Sequence, residues 1–148
     1  MIIIRNGDIL NSECQTIINP TNTVGVMGNG LALKFKNKYP EMYNHYKIGC
    51  DSGLFVIGKP YIYKINDQKW IMNFPTKKHW KNPSKIEYII DGLKYILKNY
   101  KKAKITSLAV PALGCGLGGL NPNEVYYYLN LYLSEMEIPV ELYWNFKI

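Results

Sequence analysis

A chain of 148 residues has the length of one domain that can bury a real core, and 47% hydrophobic residues is ordinary for a globular protein. No apolar run is long enough for a membrane-spanning helix, and the start Met-Ile-Ile-Ile-Arg-Asn-Gly-Asp does not have the pattern of a signal peptide. Net charge is +7, with lysine supplying every basic residue except Arg5, which excludes a preference for cationic partners and favours anions such as nucleotides or nucleic acid. Solvated helix faces (Lys94, Lys98, Lys101, Lys102) account for that charge equally well. Cys14, Cys50 and Cys115 are too widely spaced for a zinc site or a disulfide framework, so a reducing cytoplasm is expected.

In chain order, Ile2 to Arg5 is a short β-branched run stopped by the turn signal Asn6-Gly7-Asp8. Thr16 to Asn19 reads as a buried strand that Pro20 ends. Leu31, Phe35 and Tyr39 repeat at intervals of four and predict a helix, after which Pro40 starts another at its first turn. Tyr61 to Ile65 and Trp70 to Phe74 pair around Asn66-Asp67-Gln68. A longer helix is expected from Ser84 to about Tyr100, with Ser84 and Glu87 as a capping box and an apolar stripe from Ile86 to Leu97. Ile105 to Val110 is a continuous apolar strand, Asn121-Pro122 caps a last helix, and Val140 to Trp144 closes the sheet. This alternation predicts an α/β sandwich with a mostly parallel sheet and no linker or repeat, residues 1–148 forming a single domain.

Ligands of such sheets bind beyond the carboxyl ends of strands, and four irregular segments leave those ends. Asn6-Gly7-Asp8-Ile9 offers a carboxylate, although Asp in such a turn is commonly a cap. Asn19 to Gly30 carries three glycines and several amides straight into a helix N-terminus, whose free N–H groups suit an anion. Asn73 to Pro83 places Lys77, Lys78 and His79 directly after an apolar strand. Pro111 to Leu120 holds four glycines between a buried strand and a capped helix, a backbone nest for a phosphate or diphosphate. Gly114, Gly116 and Gly119 satisfy GxGxxG but lie far from any first βαβ unit, and no GK[ST] follows, so neither dinucleotide fingerprint nor Walker loop is read.

Taken together and in this order, these four segments resemble the macrodomain family over nearly the whole chain. Within it they are most similar to the macrodomains of DarG-type antitoxins, which are DNA ADP-ribosyl glycohydrolases related to the terminal ADP-ribose protein glycohydrolase branch. Val24-Gly25-Val26-Met27-Gly28-Asn29-Gly30, Asn73-Phe74-Pro75-Thr76-Lys77-Lys78-His79-Trp80 and Gly114-Cys115-Gly116-Leu117-Gly118-Gly119-Leu120 carry that likeness. The middle motif discriminates best, because generic macrodomains lack its lysine.

The resemblance implies a three-layer macrodomain sandwich: a central mixed, mostly parallel sheet flanked by helices. It implies a hydrolase that removes ADP-ribose from DNA bases, thymidine above all. Lys77 would act at the anomeric carbon, as a neutral amine or as a charged stabiliser of the leaving group, with Asn22 orienting the distal ribose. Adenine would lie at Asp8 and Ile9 and the distal ribose within Asn19, Val24, Gly28 and Gly30, with Leu31 and Ala32 also binding ADP-ribose. Thr76 would line the cleft, and Pro111, Leu113, Gly114, Cys115, Gly116, Leu117, Gly118 and Gly119 would clamp the diphosphate. No metal and no cofactor is implied. ADP-ribose, ADP-ribosylated single-stranded DNA and an ADP-ribosyltransferase toxin are the implied partners of a monomer that uses no membrane. Members of this branch often continue into a toxin-binding domain, so this chain is expected to be either a stand-alone enzyme or the first domain of a longer protein.

Protein-directed relatives carry Asp in the glycine loop where this chain has Gly118. Other readings therefore stay open: removal of ADP-ribose from protein Glu or Asp, deacetylation of O-acetyl-ADP-ribose, or a non-catalytic ADP-ribose reader. Tyr143-Trp144-Asn145-Phe146 is either an aromatic shelf beside adenine or edge packing. Cys115 reads as a small buried residue rather than a nucleophile.

Overall fold

The computed structural model describes residues 1–146. Six strands form one sheet in the order β1-β6-β5-β2-β4-β3: β1 (Ile2–Arg5), β2 (Thr16–Asn22), β3 (Tyr61–Lys64), β4 (Trp70–Lys77), β5 (Leu108–Val110) and β6 (Val140–Tyr143). All neighbours are parallel except β3, which runs antiparallel to β4 at one edge. The helices are α1 (Gly30–Lys38), α2 (Pro40–Asp51), α3 (Ile86–Asn99) and α4 (Pro122–Leu133). No helix among the described residues is long and apolar enough to cross a membrane.

The two-residue period of the strands makes the layers. Ile17, Ile71 and Ala109 point to one face and pack with Phe35, Met42 and Tyr46 of α1 and α2. Their neighbours Ile18, Met72, Phe74, Leu108 and Val110 point to the other, against Ile89, Leu93 and Ile96 of α3 and Val125, Leu129 and Leu133 of α4. Apolar residues on consecutive positions are what a strand covered on both sides requires. The result is the expected three-layer α/β sandwich with a mixed, mostly parallel sheet.

Several boundaries differ from the sequence reading. β2 continues through Pro20 to Asn22, and β4 through Pro75 to Lys77. Proline removes a ladder donor, but β5 pairs only with Thr16 and Ile17, and β3 reaches no further than Asn73. The prolines sit beyond those neighbours. β5 is shorter than the apolar run, because the Ile105 N–H bonds the Tyr100 carbonyl (3.0 Å) in the turn leaving α3. The expected capping box at Ser84 does not form. α3 starts at Ile86 after Lys85, and buried Ser84 instead donates its Oγ to the Thr76 carbonyl (2.5 Å). Asn121 caps α4 as expected, its side chain accepting from the Asn123 N–H, with Pro122 at the first helical position.

Candidate functional site

The carboxyl ends of β1, β2, β4, β5 and β6 open into one cleft of about 530 Å³. At one end, Gly7, Asp8 and Ile9 face Tyr143, Asn145 and Phe146. Asp8 caps the short 3-10 helix Ile9–Asn11, with Oδ1 accepting from the Leu10 N–H (3.0 Å). The cap reading of this aspartate therefore holds while its side chain also lines the cleft. Asp8 is the sole acid among the described lining residues.

Two backbone cradles meet in the middle. α1 begins at Gly30 after Asn29, whose side chain makes no capping bond, so the first N–H groups of the helix are left without the usual side-chain acceptor. Gly28 to Ala32 line the cleft there, and Lys34 stands one turn further on. Opposite lies the loop after β5. Its internal bonds run from Leu113 N–H to Pro111 O, Cys115 N–H to Ala112 O, Gly119 N–H to Gly116 O and Leu120 N–H to Gly114 O. Among the described residues, the N–H groups of Gly116, Leu117 and Gly118 take part in none of these. A helix N-terminus facing a row of open amides can hold an anion without charged side chains.

Packing fixes the shape of this loop. A Cβ at Gly118 would run into the carbonyl of Gly114, coming within 2.8 Å of its carbon. A side chain at this position would therefore require the loop to shift. The Gly118 carbonyl accepts the Ser84 N–H (2.9 Å), so Ser84 ties the glycine loop to the end of β4. Cys115 lines the cleft, but burial pushes its thiol up to about 11, and its Sγ lies 3.7 Å from the Leu113 carbonyl.

At the other end stand Asn22 and Lys77. The β2–β4 register shifts between Thr21 and Asn22, pairing Thr21 with Pro75 and Asn22 with Lys77 and leaving Thr76 as the extra residue. Such a bulge re-aims the side chain that follows it. Lys77 Nζ donates to the carbonyls of Leu117 (3.1 Å) and Trp80 (3.3 Å), and thus bridges the two lips. The Asn22 side chain is bound up in its own loop. Nδ2 donates to the Val26 carbonyl (2.7 Å), while Oδ1 accepts from the N–H groups of Val24 (3.1 Å) and Val26 (3.4 Å). The Tyr46 hydroxyl lies 2.8 Å from Oδ1 and 2.9 Å from the Asn22 carbonyl.

Fifteen of the residues expected at the site line the cleft: Asp8, Ile9, Asn22, Gly28, Gly30, Leu31, Ala32, Thr76, Lys77, Pro111, Gly114, Cys115, Gly116, Leu117 and Gly118. Four do not. Asn19 is fully buried beneath Met27 and donates to Asn73 Oδ1 (3.0 Å). Val24 points outward, its N–H held by Asn22. Leu113 turns into the core, and Gly119 lies at the exit of the loop with its N–H on the Gly116 carbonyl. Pro20, Thr21, Val26 and Ala112 also line the cleft, within segments that the sequence reading singles out without naming them one by one; it assigns Trp80 no role and misses Lys34. Helical spacing from Gly30 and Leu31 could have found Lys34. Of the C-terminal aromatics, Tyr143 and Phe146 line the cleft, while Trp144 packs against Tyr126.

The macro domain family model matches residues 18–128. The chain belongs to the macro domain family. It is 44% identical over 155 aligned residues to the DNA ADP-ribosyl transferase–DNA ADP-ribosyl glycohydrolase fusion protein of Thermosipho africanus, covering 93% of this chain and 40% of that protein. It is also 44% identical over 128 residues to the DNA ADP-ribosyl glycohydrolase of Mycobacterium tuberculosis (84% and 36%). The chain thus spans about two fifths of the length of these relatives. Among solved structures, the macrodomain of Mycobacterium tuberculosis DarG superposes with a TM-score of 0.92 at 39% identity, covering 97% of each chain. Thermosipho africanus DarTG in complex with ADP-ribose gives 0.93 at 43%, covering 99% of this macro domain chain and 43% of that one.

Proposed function

We propose that this macro domain binds ADP-ribose along the cleft and hydrolyses its linkage to a nucleic-acid base, with thymidine in single-stranded DNA as the substrate. The observation that carries the reading is Lys77: its amine is held between both lips by two carbonyls, beside a cradle of open backbone amides. Adenine lies at Asp8, Ile9 and the Tyr143–Phe146 end, the diphosphate lies between α1 and the glycine loop, and the distal ribose reaches Lys77. The names and ADP-ribose complex of the relatives support this assignment.

Hydrolysis places a hydroxyl on the anomeric carbon and a proton on the departing base. Lys77 acts at that carbon, either attacking it as an amine or, as an ammonium, stabilising the charge of the leaving group. Among the described residues no acid lines the cleft beside it: Asp8, the one lining acid, stands at the opposite end, and a Cβ at Gly118 would meet the Gly114 carbonyl. Asn22 shapes the ribose end through the loop it holds together. Three free cysteines accord with a reducing cytoplasm, and the fusion of a transferase to one relative accords with a toxin as partner.

One observation favours a second reading. With the one acid among its described lining residues engaged as a helix cap, the cleft could serve a reader that binds ADP-ribose without turnover. Incubation with ADP-ribosylated thymidine in single-stranded DNA, with ADP-ribosyl-glutamate protein and with O-acetyl-ADP-ribose tests both. Release of ADP-ribose from the DNA alone is expected. Binding of ADP-ribose by calorimetry without release from any of the three would establish the reader instead.

A further inference from the structure

Trp80 is a large aromatic that the structure leaves exposed at the rim of a functional cleft. It is 45% exposed, yet it lines the cleft mouth. Its ring stacks on His79, with centroids 5.5 Å apart and planes at 28°. The turn that presents it is built: the Lys81 N–H donates to His79 Nδ1 (3.1 Å) and the Asn82 N–H to the His79 carbonyl (3.0 Å). Lys81 Nζ lies 5.1 Å from the centre of the Trp80 ring. From Pro75 to Lys85 the chain carries Lys77, Lys78, Lys81 and Lys85 and no acid. Trp80 is also joined to Lys77, whose Nζ donates to its carbonyl.

Nothing in the interior explains this ring. It belongs to neither buried cluster, and burying a tryptophan is worth far more than exposing one. A single π-face among lysines matches one kind of occupant, a strand with stackable bases and a phosphate on each unit. An acidic peptide would find the charge but have no use for the flat ring.

We propose that Trp80, supported by His79 and flanked by Lys78 and Lys81, is the platform on which the strand carrying the ADP-ribose stacks a base next to the modified nucleotide. This inference rests on the glycohydrolase reading above. It adds that the lip selects oligonucleotide over nucleoside substrates.

The test compares wild type, Trp80→Ala and Trp80→Phe on ADP-ribosyl-thymidine nucleoside and on a short single-stranded oligonucleotide bearing the same modification. Calorimetry with free ADP-ribose runs alongside. Trp80→Ala is expected to raise KM for the oligonucleotide on the order of tenfold. The nucleoside KM and the ADP-ribose affinity should change several-fold less than the oligonucleotide KM, and Trp80→Phe should recover most of the loss. An unchanged oligonucleotide KM overturns the proposal, and so does an equal loss on nucleoside, oligonucleotide and free ADP-ribose. A matching loss on ADP-ribosyl-glutamate protein would assign the ring to a peptide instead. If wild type releases nothing from either DNA substrate, the glycohydrolase reading itself fails, and this inference with it.

Discussion

Asn22 and Lys77 stand opposite each other in the parallel ladder of β2 and β4, immediately after the bulge that sets Thr76 out of register. Residues 55 positions apart in the chain are thereby fixed to one another by the sheet rather than by a loop. The side chains then diverge in use: Asn22 turns to the loop from Val24 to Val26, and Lys77 reaches across the cleft to Leu117.

Tyr46 is the anchor of the Asn22 side of this pair. Burial pushes its hydroxyl well above the ordinary phenol range, so it remains a protonated donor toward Asn22 at neutral pH. Tyr46→Phe removes the donor while keeping the ring. Thermal unfolding should show a loss of about 1 to 2 kcal/mol, the usual cost of deleting a buried hydrogen-bonding partner. ADP-ribose release should slow by a few-fold through the loosened loop. Unchanged stability and rate would remove Tyr46 from the account.

Gly118 tests the glycine loop. Gly118→Ala forces a methyl group onto the Gly114 carbonyl, and relaxation of the loop should cost about 1 to 3 kcal/mol. ADP-ribose affinity, measured by calorimetry, should fall at least on the order of tenfold as the open amides are displaced. Gly118→Asp should bring the same loss and no new activity on ADP-ribosyl-glutamate protein. A gain of that activity would mean the loop accepts an acid without moving.

Glu141 gives a pH-dependent prediction. Burial alone would raise its carboxyl, but hydrogen bonds from Ser12 Oγ (2.6 Å), Arg5 Nε (3.0 Å), Cys14 Sγ (3.4 Å) and Tyr143 OH (3.2 Å) outweigh it and hold the group below its usual value. A carboxyl lowered on folding stabilises the native state above its unfolded range, and that contribution disappears as pH falls through the folded value. Glu141→Gln should therefore cost about 1 kcal/mol at neutral pH, with the difference from wild type closing below about pH 4. A gap that stays constant from neutral to acid would contradict the network.

Much of the site was legible because chemistry and backbone period coincide. Apolar runs bounded by glycine-rich segments marked the strand ends, and Asn121-Pro122 announced α4 in a local signal that nothing distant overrides. Where the reading failed, a long-range partner decided. Ser84 looks like a cap, but the Thr76 carbonyl competes for its hydroxyl. Pro20 looks like a stop, but it pairs with Phe74 of β4 on one side, and β5 ends before it on the other, so the strand continues. Asn19 and Leu113 carry ligand-like positions in the sequence, yet the pleat and the loop turn them inward. The bulge at Thr76 has no sequence signature, and it decides where Lys77 points.

The central claim is that Lys77 performs the chemistry, and single-turnover release of ADP-ribose from ADP-ribosylated thymidine in single-stranded DNA measures it most directly. Lys77→Ala should lower the rate by about a hundredfold or more while leaving calorimetric affinity for free ADP-ribose within a few-fold of wild type. Equal rates for the two proteins would contradict the role given to Lys77.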